Sequence, residues 1–82
     1  MRITIRLFGR LHDLAGASEL EREVPMTATV ASVWQMLAAE FPTVAPYARS
    51  VSAAVNADFV KTTTTLAEGD EVAFLPPVSG GM

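Results

Sequence analysis

The first eight residues of the chain alternate between apolar and polar side chains. One face carries Ile3, Ile5 and Leu7, and the other carries Arg2, Thr4, Arg6 and Phe8. This period of two predicts a half-buried strand. Gly9 ends the alternation, and we expect a helical turn over residues 10–15 that stops at Gly16.

A second alternating segment covers residues 19–24 and ends before Pro25. Its outward positions are Glu19, Glu21 and Glu23, and its inward positions are Leu20, Arg22 and Val24. An arginine can bury its aliphatic stem while its guanidinium stays in water, so we place Arg22 near the rim of the inward face.

Helical spacing appears next, in the apolar positions Val30, Val33, Trp34, Leu37 and Phe41. Thr29 is a good N-cap residue, and Pro42 ends the helix because the residue before a proline avoids helical geometry. We interpret this apolar stripe as ordinary core; an aromatic binding site is the less favoured alternative.

The second half of the chain predicts a connecting loop over residues 43–50, strands over 52–55 and 59–62 around a hairpin turn at 56–58, a threonine-rich connection, and a last strand over 71–75. In the last strand, Val72 and Phe74 point inward, while Ala73 and Leu75 point outward. We expect it to lie beside the first strand and parallel to it, in the middle of the sheet. The fold class is therefore α+β, a mixed sheet of four to five strands packed on one main helix, with a domain over 1–75 and a flexible tail over 76–82.

Strand parity places Phe8 and Leu75 on the outward face, next to the beginning of the tail. Phe59 can join them, because it starts its own strand. A contiguous apolar patch of this kind often marks a partner surface. The alternative, to which we give equal weight, is that a surface loop covers these side chains.

The tail, PPVSGGM at residues 76–82, has the composition of a segment that enters a narrow channel. Gly80 and Gly81 have no side chain to clash there, and Pro76 and Pro77 favour an extended course. The alternative is a frayed terminus, and the Gly-Gly dipeptide alone favours that alternative.

Composition excludes several classes of function. The chain has 82 residues, a net charge of −3, no cysteine and a single histidine. These counts argue against disulfides, a thiolate or zinc site, a cysteine nucleophile and nucleic-acid binding. No apolar run is long enough to span a bilayer, and no signal peptide is recognisable, so we expect a cytoplasmic protein with no membrane partner.

Three segments carry a resemblance to a known family: LFGRLHDLAG at 7–16, AVN at 54–56 and GDEVAFLPPVSGG at 69–81. Together they resemble the MoaD family, the small subunit of molybdopterin synthase, which shares its ubiquitin-like β-grasp fold and Gly-Gly end with the thiamine-pathway sulfur carrier ThiS. The resemblance covers essentially the whole chain, and its C-terminal motif is highly specific.

This resemblance implies a sulfur carrier that is not catalytic alone. A ubiquitin-activating-like adenylyltransferase (MoeB-like) uses ATP to adenylate the terminal carboxylate of Gly81, which then becomes a thiocarboxylate. The tail delivers this sulfur to cyclic pyranopterin monophosphate in the large synthase subunit (MoaE-like), for molybdenum cofactor biosynthesis. Gly80 gives clearance in the channel, and the partner interface comprises Phe8, Phe59, Leu75, Pro76, Pro77, Val78 and Ser79. The chain itself is expected to bind no cofactor and no metal.

Two points stay open from the sequence. The family ends at the second glycine, whereas this chain has Met82, which is either removed by a protease or foreign to the natural protein. Alternative functions are a thiocarboxylate carrier for cysteine, thiamine or tRNA thiolation, a ubiquitin-like protein modifier, and a plain β-grasp interaction module. Lys61, the only lysine, is a conceivable site of self-conjugation, but we expect an ordinary exposed lysine.

Overall fold

The structure, a computed structural model, describes residues 1–77 of the chain. The helices and strands follow one another as β1 (Arg2–Leu7), α1 (Gly9–Ala15), β2 (Glu19–Glu23), α2 (Val30–Glu40), a 3₁₀ helix (Pro42–Tyr47), β3 (Ser52–Val55), β4 (Asp58–Val60) and β5 (Glu71–Leu75). The predicted tail residues Val78, Ser79, Gly80, Gly81 and Met82 lie outside the described residues.

Within residues 1–77 the strands form a single five-stranded sheet in the order β2-β1-β5-β3-β4. β5 pairs with β1 in parallel, and the other neighbours pair antiparallel. The prediction of an α+β fold, with the last strand parallel to the first in the middle of the sheet, is confirmed.

The core lies between α2 and the inner face of the sheet. Most of its fully buried side chains come from these two layers: Ile3, Ile5, Leu7, Val72 and Phe74 from the sheet, and Val30, Val33 and Leu37 from the helix. Trp34 meets Phe74 edge to face, with ring centroids 5.1 Å apart. The stripe predicted as core is therefore core, because each of its side chains packs against this cluster.

Helix α2 begins at a capping box. Thr29 Oγ1 accepts a hydrogen bond from the Ser32 amide at 3.2 Å, and Ser32 Oγ accepts one from the Thr29 amide at 2.9 Å. These two bonds satisfy amides that the first turn of a helix leaves without partners. The helix ends at Glu40, so both predicted ends are confirmed.

The predicted loop over residues 43–50 is wrong, since the structure has a 3₁₀ helix at Pro42–Tyr47 with Val44 fully buried. Pro42 lies in its first turn, where a missing N–H costs no helical hydrogen bond. The amides of Val44 and Ala48 close short turns onto the carbonyls of Phe41 and Ala45. The backbone of this segment therefore makes tight turns and still buries the side chain of Val44.

The hairpin between β3 and β4 is tighter than predicted. Asn56 and Ala57 have φ values of 50° and 75°, and Asp58 already pairs with Val55. Two residues with positive φ form the kind of loop that matches the twist of a hairpin. The strand predicted over 59–62 is therefore Asp58–Val60. Among residues 1–77 no helix is long and apolar enough to cross a membrane.

Candidate functional site

Phe8 and Leu75 lie side by side on the sheet face opposite α2. Leu7 pairs with Phe74 in the parallel ladder, and the Phe8 amide donates to the Phe74 carbonyl at 3.3 Å. Phe8 follows Leu7 and Leu75 follows Phe74, so Phe8 and Leu75 are neighbours too. Phe8 is 40% exposed and Leu75 is half-buried, as expected for two apolar side chains that partly cover each other on an open face.

Phe59 lies on the same face but not directly beside Leu75. It pairs with Ala54 of β3, Ala54 pairs with Ala73 of β5, and Ala73 pairs with Arg6 of β1. Ala54 is only 6% exposed, yet it does not belong to the main core cluster, because it faces away from α2. Two alanines thus connect Phe59 to Leu75 across the sheet. We call this surface the outer patch, which consists of Phe8, Ala54, Phe59, Ala73 and Leu75.

The outer patch is open, because no segment of residues 1–77 covers its aromatic side chains. Phe59 is 73% exposed. The alternative of a covering loop therefore does not hold for the part of the chain that the structure describes. The sequence analysis had placed Phe8, Phe59 and Leu75 in this patch; it gave Ala73 an outward direction only, and it did not single out Ala54.

Charged side chains border the outer patch on the β1 side. The Arg6 guanidinium lies 5.6 Å from the centre of the Phe8 ring, and its Nη1 lies 3.4 Å from Glu71 Oε2. Beyond β1, the exposed face of β2 carries Glu19, Glu21 and Glu23. An apolar patch with a charged rim is the usual composition of a protein–protein interface.

The tail begins directly at the outer patch. Pro76 is half-buried and follows Leu75, and Pro77 is exposed. An ideal Cβ added to Gly9 would come within 3.0 Å of Pro76 Cγ, so the tail leaves the domain in close contact with the β1–α1 junction. The sequence analysis missed this contact, since nothing in the spacing of Gly9 and Pro76 indicates it.

The site is a surface and not a pocket. Two hollows, of about 350 and 240 Å³, lie beside α2: one is lined by Val24, Ala28, Val33 and Met36, and the other by Trp34, Val51, Ala53 and Phe74. Both are on the opposite side of the sheet from the outer patch. Within residues 1–77 no three acidic, histidine or cysteine side chains are grouped to hold a metal ion.

The sequence model of the ThiS family matches residues 5–81, which include both glycines of the tail. The chain belongs to the ThiS family. This match confirms the resemblance that the C-terminal motif indicated.

Two curated relatives have the same name, molybdopterin synthase sulfur carrier subunit. The protein from Arabidopsis thaliana is 28% identical over 81 residues, which cover 99% of this chain and 84% of the relative. The protein from Mycobacterium tuberculosis is 29% identical over 82 residues, which cover 99% of this chain and 99% of the relative.

Solved structures confirm the ubiquitin-like β-grasp fold. SAMP1 from Haloferax volcanii superposes with a TM-score of 0.85 at 26% identity, over 99% of this chain and all of that one. One chain of the complex of subunits 1 and 2 of the molybdopterin-converting factor from Helicobacter pylori superposes with a TM-score of 0.70 at 21% identity, over 99% of this chain and 100% of its own length. At that identity the Helicobacter structure supports the fold alone.

Proposed function

We propose that this chain is the sulfur carrier subunit of a molybdopterin synthase, and that Gly81 is its reacting residue. The observation that carries the proposal is the outer patch, whose member Leu75 is followed at once by the Pro-Pro-to-Gly-Gly tail. The family match through residue 81 and the shared name of the two curated relatives support it. The chain supplies sulfur and a docking surface, and its partners supply the catalytic groups.

The chemistry explains why activation comes first. A carboxylate is a poor electrophile, so an activating enzyme transfers AMP from ATP to the Gly81 carboxylate and releases pyrophosphate. Sulfide then attacks the acyl carbon, and AMP leaves with its electron pair. The product is a thiocarboxylate on Gly81, which donates its sulfur to the pterin precursor in the large subunit. The backbone terminus carries the sulfur, which agrees with the lack of cysteine in the chain.

In this proposal the outer patch docks onto the activating enzyme and onto the large subunit in turn. The two partners share one surface because both must receive the same tail, which starts beside Leu75. Burial of Phe8 and Phe59 against a partner removes apolar area from water and offsets the entropy lost when the tail enters a channel. Binding to the two partners is then mutually exclusive.

A second function is favoured by one specific observation. SAMP1, which is a small archaeal modifier protein, superposes over 99% of this chain with a TM-score of 0.85. The same activated Gly81 can be attacked by sulfide or by a lysine amine, and the partners decide which of the two occurs. A protein modifier or a carrier for another thiolation pathway therefore remains the alternative function.

The test reconstitutes the activating enzyme and the large subunit of the same organism with three forms of the chain. These are residues 1–81, the full chain that ends at Met82, and residues 1–81 with Gly81→Ala. We expect only the first form to convert the pterin precursor when no protease is present, because Met82 or an added methyl obstructs the channel at the reacting carboxylate. Equal rates from all three forms would remove Gly81 from the mechanism.

Mass spectrometry of protein purified from the native host separates the two candidate functions. A chain that ends at Gly81 with one oxygen replaced by sulfur indicates a thiocarboxylate. Adducts in which Gly81 is joined to lysines of other proteins indicate a modifier. Co-purification of a large synthase subunit then assigns the thiocarboxylate to molybdopterin synthesis, and its absence assigns the sulfur to another pathway.

A further inference from the structure

Strands β1 and β5 separate abruptly at the beginning of the tail. The Phe8 amide still bonds the Phe74 carbonyl, but the Phe8 carbonyl accepts the Leu11 amide of α1 at 3.1 Å. Pro76 has no N–H to continue the ladder. The chain of β1 therefore turns into α1 at Gly9, while the chain of β5 continues past it as Pro76.

Gly9 and Pro76 are in contact at this point of separation. Gly9 has a φ of +55°, and an ideal Cβ at its position lies 3.0 Å from Cγ and 3.6 Å from Cδ of Pro76. The pyrrolidine ring is joined to its own backbone at two atoms and cannot rotate away as a flexible side chain does. A side chain at residue 9 therefore crowds the Pro76 ring, which must give by a few tenths of an ångström and is held by its own backbone.

We propose that Gly9 is a positioning residue that sets the direction in which the C-terminal tail leaves the outer patch. Its missing Cβ lets the Pro76 ring lie directly on the β1–α1 junction, beside Phe8. The docking surface and the first residue of the tail then form one rigid unit. The inference rests on the proposed role of Gly81 as the reacting terminus.

Direction at Pro76 matters because the reacting group lies five residues further along the chain. Five extended residue steps span at most roughly 17 Å, so for a tail held extended in a partner's channel a turn of about ten degrees at Pro76 moves the end by roughly 3 Å. Two consecutive prolines are stiff, and Pro77 carries the direction onward. A misplacement of about 1 Å at a reacting centre can cost about a hundredfold in rate.

Two other glycines provide matched controls for Gly9→Ala. Gly16 has a φ of +75° and Gly69 a φ of +82°, and an ideal Cβ at either position meets nothing within 4 Å. Gly16→Ala and Gly69→Ala therefore place a Cβ at a positive φ, as Gly9→Ala does, but without a collision. An effect that appears in Gly9→Ala and in neither control is the effect expected of the contact with Pro76.

The first measurement needs no partner protein. The chain has no cysteine, so Ser79→Cys accepts one nitroxide label in the tail of the full chain. Paramagnetic broadening of amide signals then maps where the label spends its time. We expect Gly9→Ala to shift the broadening to different residues of the domain, and Gly16→Ala to leave the pattern as it is in the parent chain. An unchanged pattern in Gly9→Ala would overturn the inference.

Pro76→Ala tests the contact from its other side and serves if Gly9→Ala does not fold. It removes Cγ and Cδ without adding strain at residue 9, so we expect it also to shift the broadening. In the Pro76→Ala background, Gly9→Ala should destabilise the chain no more than Gly16→Ala does, because the ring that it would strike is gone. Additive effects of the two changes on stability would contradict the contact.

The activity measurement uses residues 1–81 and the activating enzyme at saturating concentration. We expect Gly9→Ala to lower the adenylation rate by roughly tenfold or more, while the Kd for the enzyme changes by less than about threefold. A parent chain that is never adenylated would refute the proposed function, whereas the label would still show whether Gly9 directs the tail. A Gly9→Ala chain that is adenylated as fast as Gly16→Ala would refute the positioning role alone.

Discussion

Arg22 of β2 and Glu40 at the end of α2 form a two-point ion pair that joins the edge of the sheet to the helix. Arg22 Nε donates to Glu40 Oε1 at 3.1 Å, and Nη2 donates to Oε2. The hydrogen bond to Arg22 holds the pKa of the Glu40 carboxyl below its ordinary value, against a smaller opposing effect of desolvation. The same bond raises the pKa of Arg22.

This pair predicts how stability depends on pH. Because the pKa of Glu40 is lower in the folded chain than in the unfolded chain, its contribution is complete above the unfolded value of 4.5 and is lost as the pH falls through the folded value. Glu40→Gln should lower the free energy of unfolding at pH 6 by at most about 1 kcal/mol, since both side chains are partly solvated. It should also make that free energy decline less steeply as the pH falls below 5. Urea unfolding at a series of pH values measures this.

Glu23→Gln is the control for that series. Glu23 follows Arg22 in β2 and is exposed, and no ion pair is found for it within residues 1–77. Its replacement should leave the steepness of the acid decline close to that of the parent chain. If Glu23→Gln flattens the curve as much as Glu40→Gln does, the effect belongs to net charge and not to the pair.

The sequence predicted Arg22 on the inner face near the rim, but not its partner. Strand parity is local information, whereas Glu40 comes from a helix 18 residues away and meets Arg22 only when the layers pack. The same distinction separates Leu75, whose outward direction followed from alternation, from the contact of Gly9 with Pro76. Periodicity assigns faces, whereas the contacts between individual side chains of separate elements are set by tertiary packing.

The turn between β3 and β4 also depends on tertiary contacts that the sequence did not indicate. Asn56 was recognised as a turn residue, but its side chain also receives the Glu71 amide at 3.0 Å and donates to Asp70 at 3.0 Å. These bonds fix the hairpin against the turn before β5 and support positive φ at Ala57, a residue that has no preference for it. The hairpin turn predicted over 56–58 was therefore one residue too long, because Asp58 already pairs with Val55 and leaves a two-residue loop.

Ala57→Gly should stabilise the chain. Ala57 has a φ of 75°, where a Cβ is strained and glycine is not, so we expect the free energy of unfolding to rise by about 0.5–1 kcal/mol. The reverse change Gly69→Ala, at a φ of +82° in open space, should lower it by a similar amount. Urea unfolding of both variants measures the two effects, and a loss of stability in Ala57→Gly would show that the turn is not strained.

Lys61→Arg should leave sulfur transfer unchanged. Lys61 is exposed just after β4, and no ion pair or side-chain hydrogen bond is found for it in the part of the chain that the structure describes. Arginine keeps the charge but lacks the primary amine that could attack an activated carboxyl terminus. Single-turnover sulfur transfer by residues 1–81 with and without the change measures this, and a large loss would give Lys61 a role in the reaction.

The outer patch makes the most direct prediction about partners. Phe8→Asp or Leu75→Asp should weaken binding to the large subunit by about 2 kcal/mol or more, roughly thirtyfold in Kd, because a buried carboxylate would replace an apolar anchor. Phe59→Asp tests whether the patch extends across Ala54 and Ala73 to β4. Calorimetric titration of each variant against the large subunit measures these effects, and melting temperatures confirm that each variant folds.

Met26→Asp is the matched control, because Met26 and Phe59 are large apolar side chains with the same exposure of 73%. Met26 follows β2 at the end of the sheet away from Phe8, so it lies outside the outer patch. Its replacement adds the same charge and removes a comparable apolar surface, yet binding should stay within about threefold of the parent chain. If Met26→Asp weakens binding as much as Leu75→Asp does, net charge and not the patch determines affinity. If neither change weakens it, the partner docks elsewhere, and the outer patch has no part in delivering the tail.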